Sequence, residues 1–287
     1  MTAGLTVGEA LRSGMARLAA AGVGNPGLDA RVLLAHVMGV DGSALLRDRG
    51  VIVDAEAWER VLARRERREP VALITGRAGF WTFEVEVSAD TLVPRGDSET
   101  LIEAAVVARA RGAVRRVLDL GTGTGCLLLA ALVEFPEAWG VGVDRSAATA
   151  AVARRNVLAL GMGARAAVVV GDWAAAVAGT FDLVLSNPPY IVRGDLAGLM
   201  PEVARFEPVG ALDGGVDGLA AYRELLAVLP RVLAPEGLAV FEVGAGQAAD
   251  VGQLARKAGF AVRMRTDLGR VERAVLLERD TGRRVHA

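Results

Sequence analysis

The sequence predicts an α/β fold, a mainly parallel sheet layered with helices, preceded by a small helical bundle and a β-hairpin linker. Three observations carry this prediction. Short apolar runs alternate with helical patterns from about residue 115 onward. A glycine-rich turn, Gly121-Thr122-Gly123-Thr124-Gly125, joins the first of these runs to a helix. Asn187-Pro188-Pro189-Tyr190 closes a later run, Phe181 to Ser186. Two successive prolines end a strand because neither donates a backbone N–H, and the first pushes Asn187 toward extended geometry.

Taken in order, residues from about 5 to 70 read as helical. Ala10, Leu11, Met15 and Leu18, then Ala30, Leu33, Leu34, Val37 and Met38, recur at helical spacing. The break between them is Gly22, Gly24, Asn25, Pro26 and Gly27, and Trp58, Val61 and Leu62 open a third apolar face. This piece, 1–75, is predicted to be a helical bundle. A linker, 76–95, follows, with Phe80 to Val87 read as a strand or hairpin arm. Asp97 or Ser98 is expected to cap the helix that starts at Glu99. The α/β domain, 96–287, then has strands at Arg116–Leu120, Trp139–Asp144, Ala166–Val170, Phe181–Leu185 and Leu238–Val243. A last pair falls at Ala261–Arg265 and Ala274–Glu278. Helices are expected at Cys126–Phe135, Ala147–Leu160 and Leu219–Leu233, the last ended by Pro235 and Gly237. The polar stretch Arg193–Gly218 is too long for an ordinary connection and is a candidate substrate loop.

Composition narrows the classes. Hydrophobic residues are 52%, enough for a sizeable core, and the formal net charge is −1, which argues against a protein held to nucleic acid by phosphate neutralisation. One cysteine, Cys126, permits no intrachain disulfide, and with only His36 and His286 beside it no Cys/His zinc site is expected. No run reaches the roughly 18 apolar residues of a membrane span, and no signal peptide is visible. A cytoplasmic protein without stable nucleic-acid or membrane partners is expected. His36, among Leu34, Val37 and Met38, reads as a packed helix residue, and the basic run Arg64–Arg68 as either a partner contact or a solvated face.

The chemistry gathers at the strand ends. The glycine turn lets backbone approach a ligand closely. It is not G-x-G-x-x-G, since Cys126 stands three residues after Gly123, and no Walker lysine follows. Asp144 ends the next strand, where a carboxylate can accept both hydroxyls of a ribose. Asp172 and Trp173 follow the third strand and suit an adenine amine and its ring face; Asp119 either joins this set or caps the loop. At Asn187-Pro188-Pro189-Tyr190, an amide oxygen, proline carbonyls and an aromatic face suit a planar –NH2 group.

Glycine loop, Asp144, Asp172-Trp173 and Asn187-Pro188-Pro189-Tyr190, each after successive strands, resemble the seven-stranded, Rossmann-like S-adenosylmethionine-dependent methyltransferases. The stretches Arg68–Gly76, Phe80-Trp81, Val93–Glu99, Phe206-Glu207-Pro208 and Ala211–Leu219 look like the HemK-type peptide chain release factor glutamine methyltransferases, with Gly96 where that family usually has proline. The resemblance covers essentially the whole chain. It implies methylation of the glutamine amide nitrogen in the Gly-Gly-Gln motif of class 1 release factors, with S-adenosylmethionine as donor and S-adenosylhomocysteine as product. It implies that Asp119, Gly121, Thr122, Gly123, Thr124, Gly125, Asp144, Asp172, Trp173 and Asn187 hold the cofactor. Asn187, Pro188, Pro189 and Tyr190 would hold the glutamine, with Asn187, Pro188 and Tyr190 catalytic. It implies that the helical domain grips the release factor; a monomer is expected. The alternatives are an amino methyltransferase of DNA or rRNA bases using the same site, and a non-catalytic cofactor-binding protein.

Overall fold

A computed structural model describes residues 4–280; His286 lies outside the described residues. The helices, in chain order, are α1 (Val7–Ala20), α2 (Pro26–Met38), α3 (Ala44–Arg47), α4 (Ala55–Glu66), α5 (Val71–Thr75), α6 (Glu99–Ala108), α7 (Cys126–Glu134), α8 (Ala147–Ala159), α9 (Pro201–Phe206), α10 (Ala220–Val232) and α11 (Ala248–Lys257). The strands are β1 (Arg77–Phe80), β2 (Phe83–Glu86), β3 (Arg116–Leu120), β4 (Trp139–Asp144), β5 (Ala166–Val170), β6 (Phe181–Ser186), β7 (Leu233–Glu242), β8 (Phe260–Thr266) and β9 (Glu272–Arg279). They fall into two compact units. One is the chain up to Arg77 together with Leu199–Phe206; the other is Ala78–Gly198 together with the chain from Glu207 onward.

The first unit is helical. Its core is Leu18, Leu33, Leu34, Trp58, Leu62 and their neighbours. Thr6 and Glu9 form a reciprocal capping box at α1, and Asn25 with Pro26 opens α2 as a cap followed by proline in the first turn. The basic run is not a solvated face. Arg65 is buried and binds Asp29 and Glu202, Arg68 binds both Glu202 oxygens, and Arg64 binds Glu69. Glu202 lies on α9, so this unit recruits a segment distant in sequence, which local sequence signals do not announce.

The second unit holds a seven-stranded sheet in the order β5-β4-β3-β6-β7-β9-β8. Pairs β5–β4, β4–β3, β3–β6 and β6–β7 are parallel, and β9 is antiparallel to both β7 and β8. The strand order reverses between β3 and β6, which places the loops after those two strands side by side at the sheet's carboxyl edge. A two-stranded hairpin, β1–β2, precedes the sheet.

Three local readings change. Phe80–Val87 is not one strand, because the chain turns at Trp81-Thr82. Trp81 has φ +56°, and Glu99 accepts its backbone N–H while Glu134 accepts its indole N–H. Strand β7 begins at Leu233, with Pro235 inside it. Pro235 and Glu236 are exposed and lie where the β6–β7 register shifts, so the missing N–H interrupts no interior ladder. The Arg193–Gly218 stretch contains α9 and two 3-10 turns.

Gly142 in β4 allows the glycine loop to lie close to the sheet. A Cβ there would sit 2.7 Å from Thr122 Oγ1 and 3.0 Å from Thr122 Cβ. Thr122 cannot give way freely, since its hydroxyl is bonded to Asp119. Gly142→Ala is therefore expected to destabilise the protein by about 1–3 kcal/mol through overpacking, read as a lower urea midpoint with an unchanged slope.

Candidate active site

The loop after β3 turns back over the sheet edge. Gly121, Gly123 and Gly125 all take positive φ, at +73°, +57° and +83°, a conformation that only glycine adopts without cost. The Gly121 and Thr122 N–H groups donate to Val143 O at the end of β4. Asp144 then fixes the tip: Oδ2 accepts from Gly123 N at 3.1 Å and Oδ1 from Ser146 N at 2.9 Å. Each oxygen keeps a lone pair for a ligand hydroxyl. Desolvation raises the Asp144 carboxyl, against the pull of the Ser146 and Gly123 N–H groups and Arg145.

Asp119 lies beneath this loop, fully buried. Its Oδ2 accepts from the Thr122 hydroxyl at 2.6 Å and from Leu128 N in the first turn of α7 at 3.3 Å, while Oδ1 has no partner. Desolvation pushes its carboxyl up to about 7, opposed by those two donors. Thr124 adds a second buried orphan oxygen, Oγ1. The Cys126 thiol is pushed up to about 12, chiefly by desolvation, and stays neutral.

These groups border a cavity of about 400 Å³. Gly121, Thr122, Gly123, Thr124, Asp144, Asp172, Trp173, Asn187 and Pro189 line it. Asp119, Gly125, Pro188 and Tyr190 stand outside its lining. Trp173 has φ +44°, its indole N–H donates to the Glu224 carboxylate, and its ring lies against Gly121. Asp172 is exposed at the rim.

Asn187 is oriented by a residue whose role sequence reasoning missed. Ser98 sits at the N-cap of α6, but its side chain makes no cap bond; its Oγ accepts from Asn187 Nδ2 at 3.0 Å. With the amide nitrogen engaged, Oδ1 is the acceptor left to a ligand. Asp97 does not cap the helix either, and pairs with Arg273 at 3.1 Å. Tyr190 is gripped at both ends. Its carbonyl accepts from Gln247 Nε2 at 2.9 Å, and its hydroxyl donates to Glu242 Oε1 at 3.3 Å. Pro188 is buried.

Three further polar residues have partners that the sequence reading did not reach. Asn156, buried in α8, donates to Thr124 O at 2.9 Å and Glu86 O at 3.0 Å and accepts from Glu86 N at 2.7 Å, tying β2 to the glycine loop. Arg95, on the cavity wall, binds the buried Glu207 carboxylate, and Glu207 Oε2 has no partner. Glu207 was visible in Phe206-Glu207-Pro208, but nothing local pairs it with Arg95. Among the described residues no cluster of His, Cys, Asp and Glu is placed to hold a metal ion, and no helix is long and apolar enough to cross a membrane.

Known proteins match this arrangement along the chain. The PrmC N-terminal domain family matches residues 9–76, and the methyltransferase small domain family matches residues 97–200. The release factor glutamine methyltransferase of Rhodospirillum rubrum is 51% identical over 279 residues, 96% of this chain and 86% of that one. Its namesake from Cereibacter sphaeroides is 44% identical over 256 residues, 88% of this chain and 91% of that one. A methyltransferase from Pyrococcus furiosus, 19% identical, shares the fold with a TM-score of 0.51, over 69% of this chain and 90% of that one. Identity at this level over nearly the full length settles the matter: the chain belongs to the release factor glutamine methyltransferase family.

Proposed function

We propose that this protein methylates the side-chain amide nitrogen of the glutamine in the Gly-Gly-Gln motif of class 1 peptide chain release factors, using S-adenosylmethionine. The observation that carries the reading is Asn187. A glutamine –NH2 needs acceptors, and the bond to Ser98 leaves Asn187 Oδ1 as one, beside a cavity edged by a glycine loop and Asp144.

The residues present fit the donor. Asp144 keeps lone pairs for the ribose hydroxyls, the glycine loop supplies a cradle without side chains, and Trp173 offers a ring face. The orphaned Thr124 hydroxyl and the exposed Asp172 carboxylate add capacity for further hydrogen bonds. When bound, S-adenosylmethionine supplies an electrophilic methyl group on a positively charged sulfur.

The glutamine nitrogen is a poor nucleophile because its lone pair is conjugated with the carbonyl. Asn187 Oδ1 and the Pro188 carbonyl accept its two hydrogens and favour pyramidal nitrogen, freeing the lone pair. With the donor held by Asp144 and the glycine loop, the freed nitrogen lone pair would take the methyl group that the donor supplies, and the surplus proton would leave nitrogen for water. Catalysis is then mostly positioning, with no strong base required. Tyr190 is assigned to holding the turn, since its ring packs into the core and its hydroxyl is engaged. Asp119 and Gly125 support the loop from below. The helical unit is assigned to gripping the release factor, because the predicted cofactor and glutamine positions all lie in the other unit. The protein is taken to act as a monomer in the cytoplasm, where release factors work, without nucleic acid.

Asp144→Ala is expected to weaken donor binding at least tenfold, since charged hydrogen bonds are worth roughly 1.5–3 kcal/mol each. An unchanged dissociation constant by calorimetry would remove Asp144 from the cofactor site.

The broader test offers labelled S-adenosylmethionine with release factor, DNA or rRNA. Label is expected in release factor alone, and transfer to either nucleic acid instead would overturn the substrate assignment. In single turnovers with saturating donor, folded Asn187→Ala should transfer methyl about 10²-fold more slowly or worse, with donor binding reduced only modestly. A wild-type rate would reduce Asn187-Pro188-Pro189-Tyr190 to a strand-ending turn.

A further inference from the structure

The Asn187 turn is held at its first residue by the Ser98 bond and at its last by a side chain that the mechanism above does not use. Pro188 and Pro189 have no N–H, so the middle of the turn can be fastened only through what flanks it. At the far end, the Tyr190 carbonyl accepts from Gln247 Nε2 at 2.9 Å. Gln247 follows β7 and stands at the N-cap of α11, yet its side chain makes no cap bond there. Its amide is turned to main-chain groups instead. Oε1 accepts from Gly244 N at 3.0 Å, and Nε2 also reaches Gly218 O at 3.5 Å. One end of the amide meets a donor and the other meets acceptors, so its orientation is fixed.

The surroundings leave the Tyr190 main chain little room to shift. A Cβ on Gly214 would lie 2.8 Å from Tyr190 Cα, and one on Gly218 would lie 2.6 Å from Tyr190 O and 2.5 Å from Gln247 Nε2. Only glycine allows the chain to come this close. The next residue is paired on both sides, with Ile191 N donating to Leu212 O and Ile191 O accepting from Gly214 N. Behind Gln247, buried Ala248, Val251 and Ala255 seat α11, so the amide is carried by a packed helix end.

We propose that Gln247 is a positioning residue for methyl transfer, its amide fixing the Tyr190 carbonyl and thereby the place of the Pro188 carbonyl that receives the glutamine –NH2. The inference rests on the reading of Asn187 and Pro188 given above. Ser98 orients the Asn187 side chain, but a main-chain carbonyl has no side chain to steer it. Its place follows from the chain on either side, which is the end of β6 upstream and Tyr190 downstream. Both acceptors must meet hydrogens of one nitrogen, and a misplacement of about 1 Å can slow a reaction about 10²-fold. Gln247 does not line the cavity, so loss of its amide should leave donor binding intact.

The test is single-turnover methylation of release factor at saturating donor, with the donor dissociation constant measured alongside by calorimetry. Folded Gln247→Ala is expected to transfer methyl about tenfold more slowly or worse, with the donor constant within about twofold of wild type. A wild-type rate overturns the proposal. So does a loss of donor affinity as large as the loss of rate, which would make Gln247 a support of the whole site. Gln247→Glu supplies a second readout and serves where the alanine variant fails to fold. An ionised glutamate cannot donate to Tyr190 O, whereas a protonated one can, and the two facing carbonyls favour the protonated form. Its rate relative to wild type is expected to be about tenfold down at about pH 8.5 and to recover as the pH falls toward about 6. A ratio that does not change with pH overturns the proposal. If wild type itself transfers no methyl to release factor, it is the substrate reading that fails.

Discussion

An amide side chain carries a donor and an acceptor of nearly equal shape, and which of them meets a substrate decides what it can recognise. Here the hydrogen bond from Asn187 Nδ2 to Ser98 makes that choice. The rest of the site is arranged so that this bond can form. Pro188 holds Asn187 extended at the end of β6, and the 3-10 turn Gly96–Ser98 delivers the hydroxyl at the start of α6. That turn is anchored by Asp97 on Arg273 of β9, and α6 packs against β7 and β9. Two segments about ninety residues apart therefore meet in one contact, and its accuracy depends on the docking of a helix rather than on the loop alone.

Much of the fold was legible because its signals are local. The period of apolar residues, the glycines after β3 and the prolines after β6 mark element ends whatever the rest of the chain does. Asp144 could be found because it ends a strand directly after a strand-and-glycine-loop unit. Asn156, Ser98 and Glu242 could not, since each is defined by a partner 70, 89 or 52 residues away. The same reason explains Arg65. In sequence it is one of four arginines in a run broken by Glu66; in the structure it is buried between Asp29 and Glu202. Pro235 misled for the opposite cause, a strong local rule overridden by an exposed irregularity in the ladder.

The carboxyl edge of the sheet concentrates acids. Asp119, Asp144 and Glu242 all have raised pKa values with desolvation as the main cause, and the charge of Asp144 adds to the rise at Asp119. Protein N–H and O–H groups stabilise each of them only partly, and Asp119 Oδ1 and Glu242 Oε2 have no partner. Leaving such groups short of donors costs stability. The three carboxyls gather at the same end of the sheet, so each discourages ionisation of its neighbours where they are close, as Asp144 does for Asp119.

Backbone strain follows the same pattern of local cost held by distant partners. Among the described residues, Arg68, Trp81, Trp173 and Arg270 are the non-glycine residues with positive φ. Three are held by carboxylates, Arg68 by Glu202, Trp81 by Glu99 and Glu134, and Trp173 by Glu224, while the Arg270 N–H closes a turn onto the Asp267 carbonyl. A glycine would adopt these conformations freely, at a saving of the order of 1 kcal/mol or more. The twist that strains the backbone at position 173 also lays the indole against Gly121, so that both line the cavity beside the glycine loop. The bond to Glu224 then keeps the ring in place, so strain and hydrogen bond together hold one wall of the cavity before any ligand arrives.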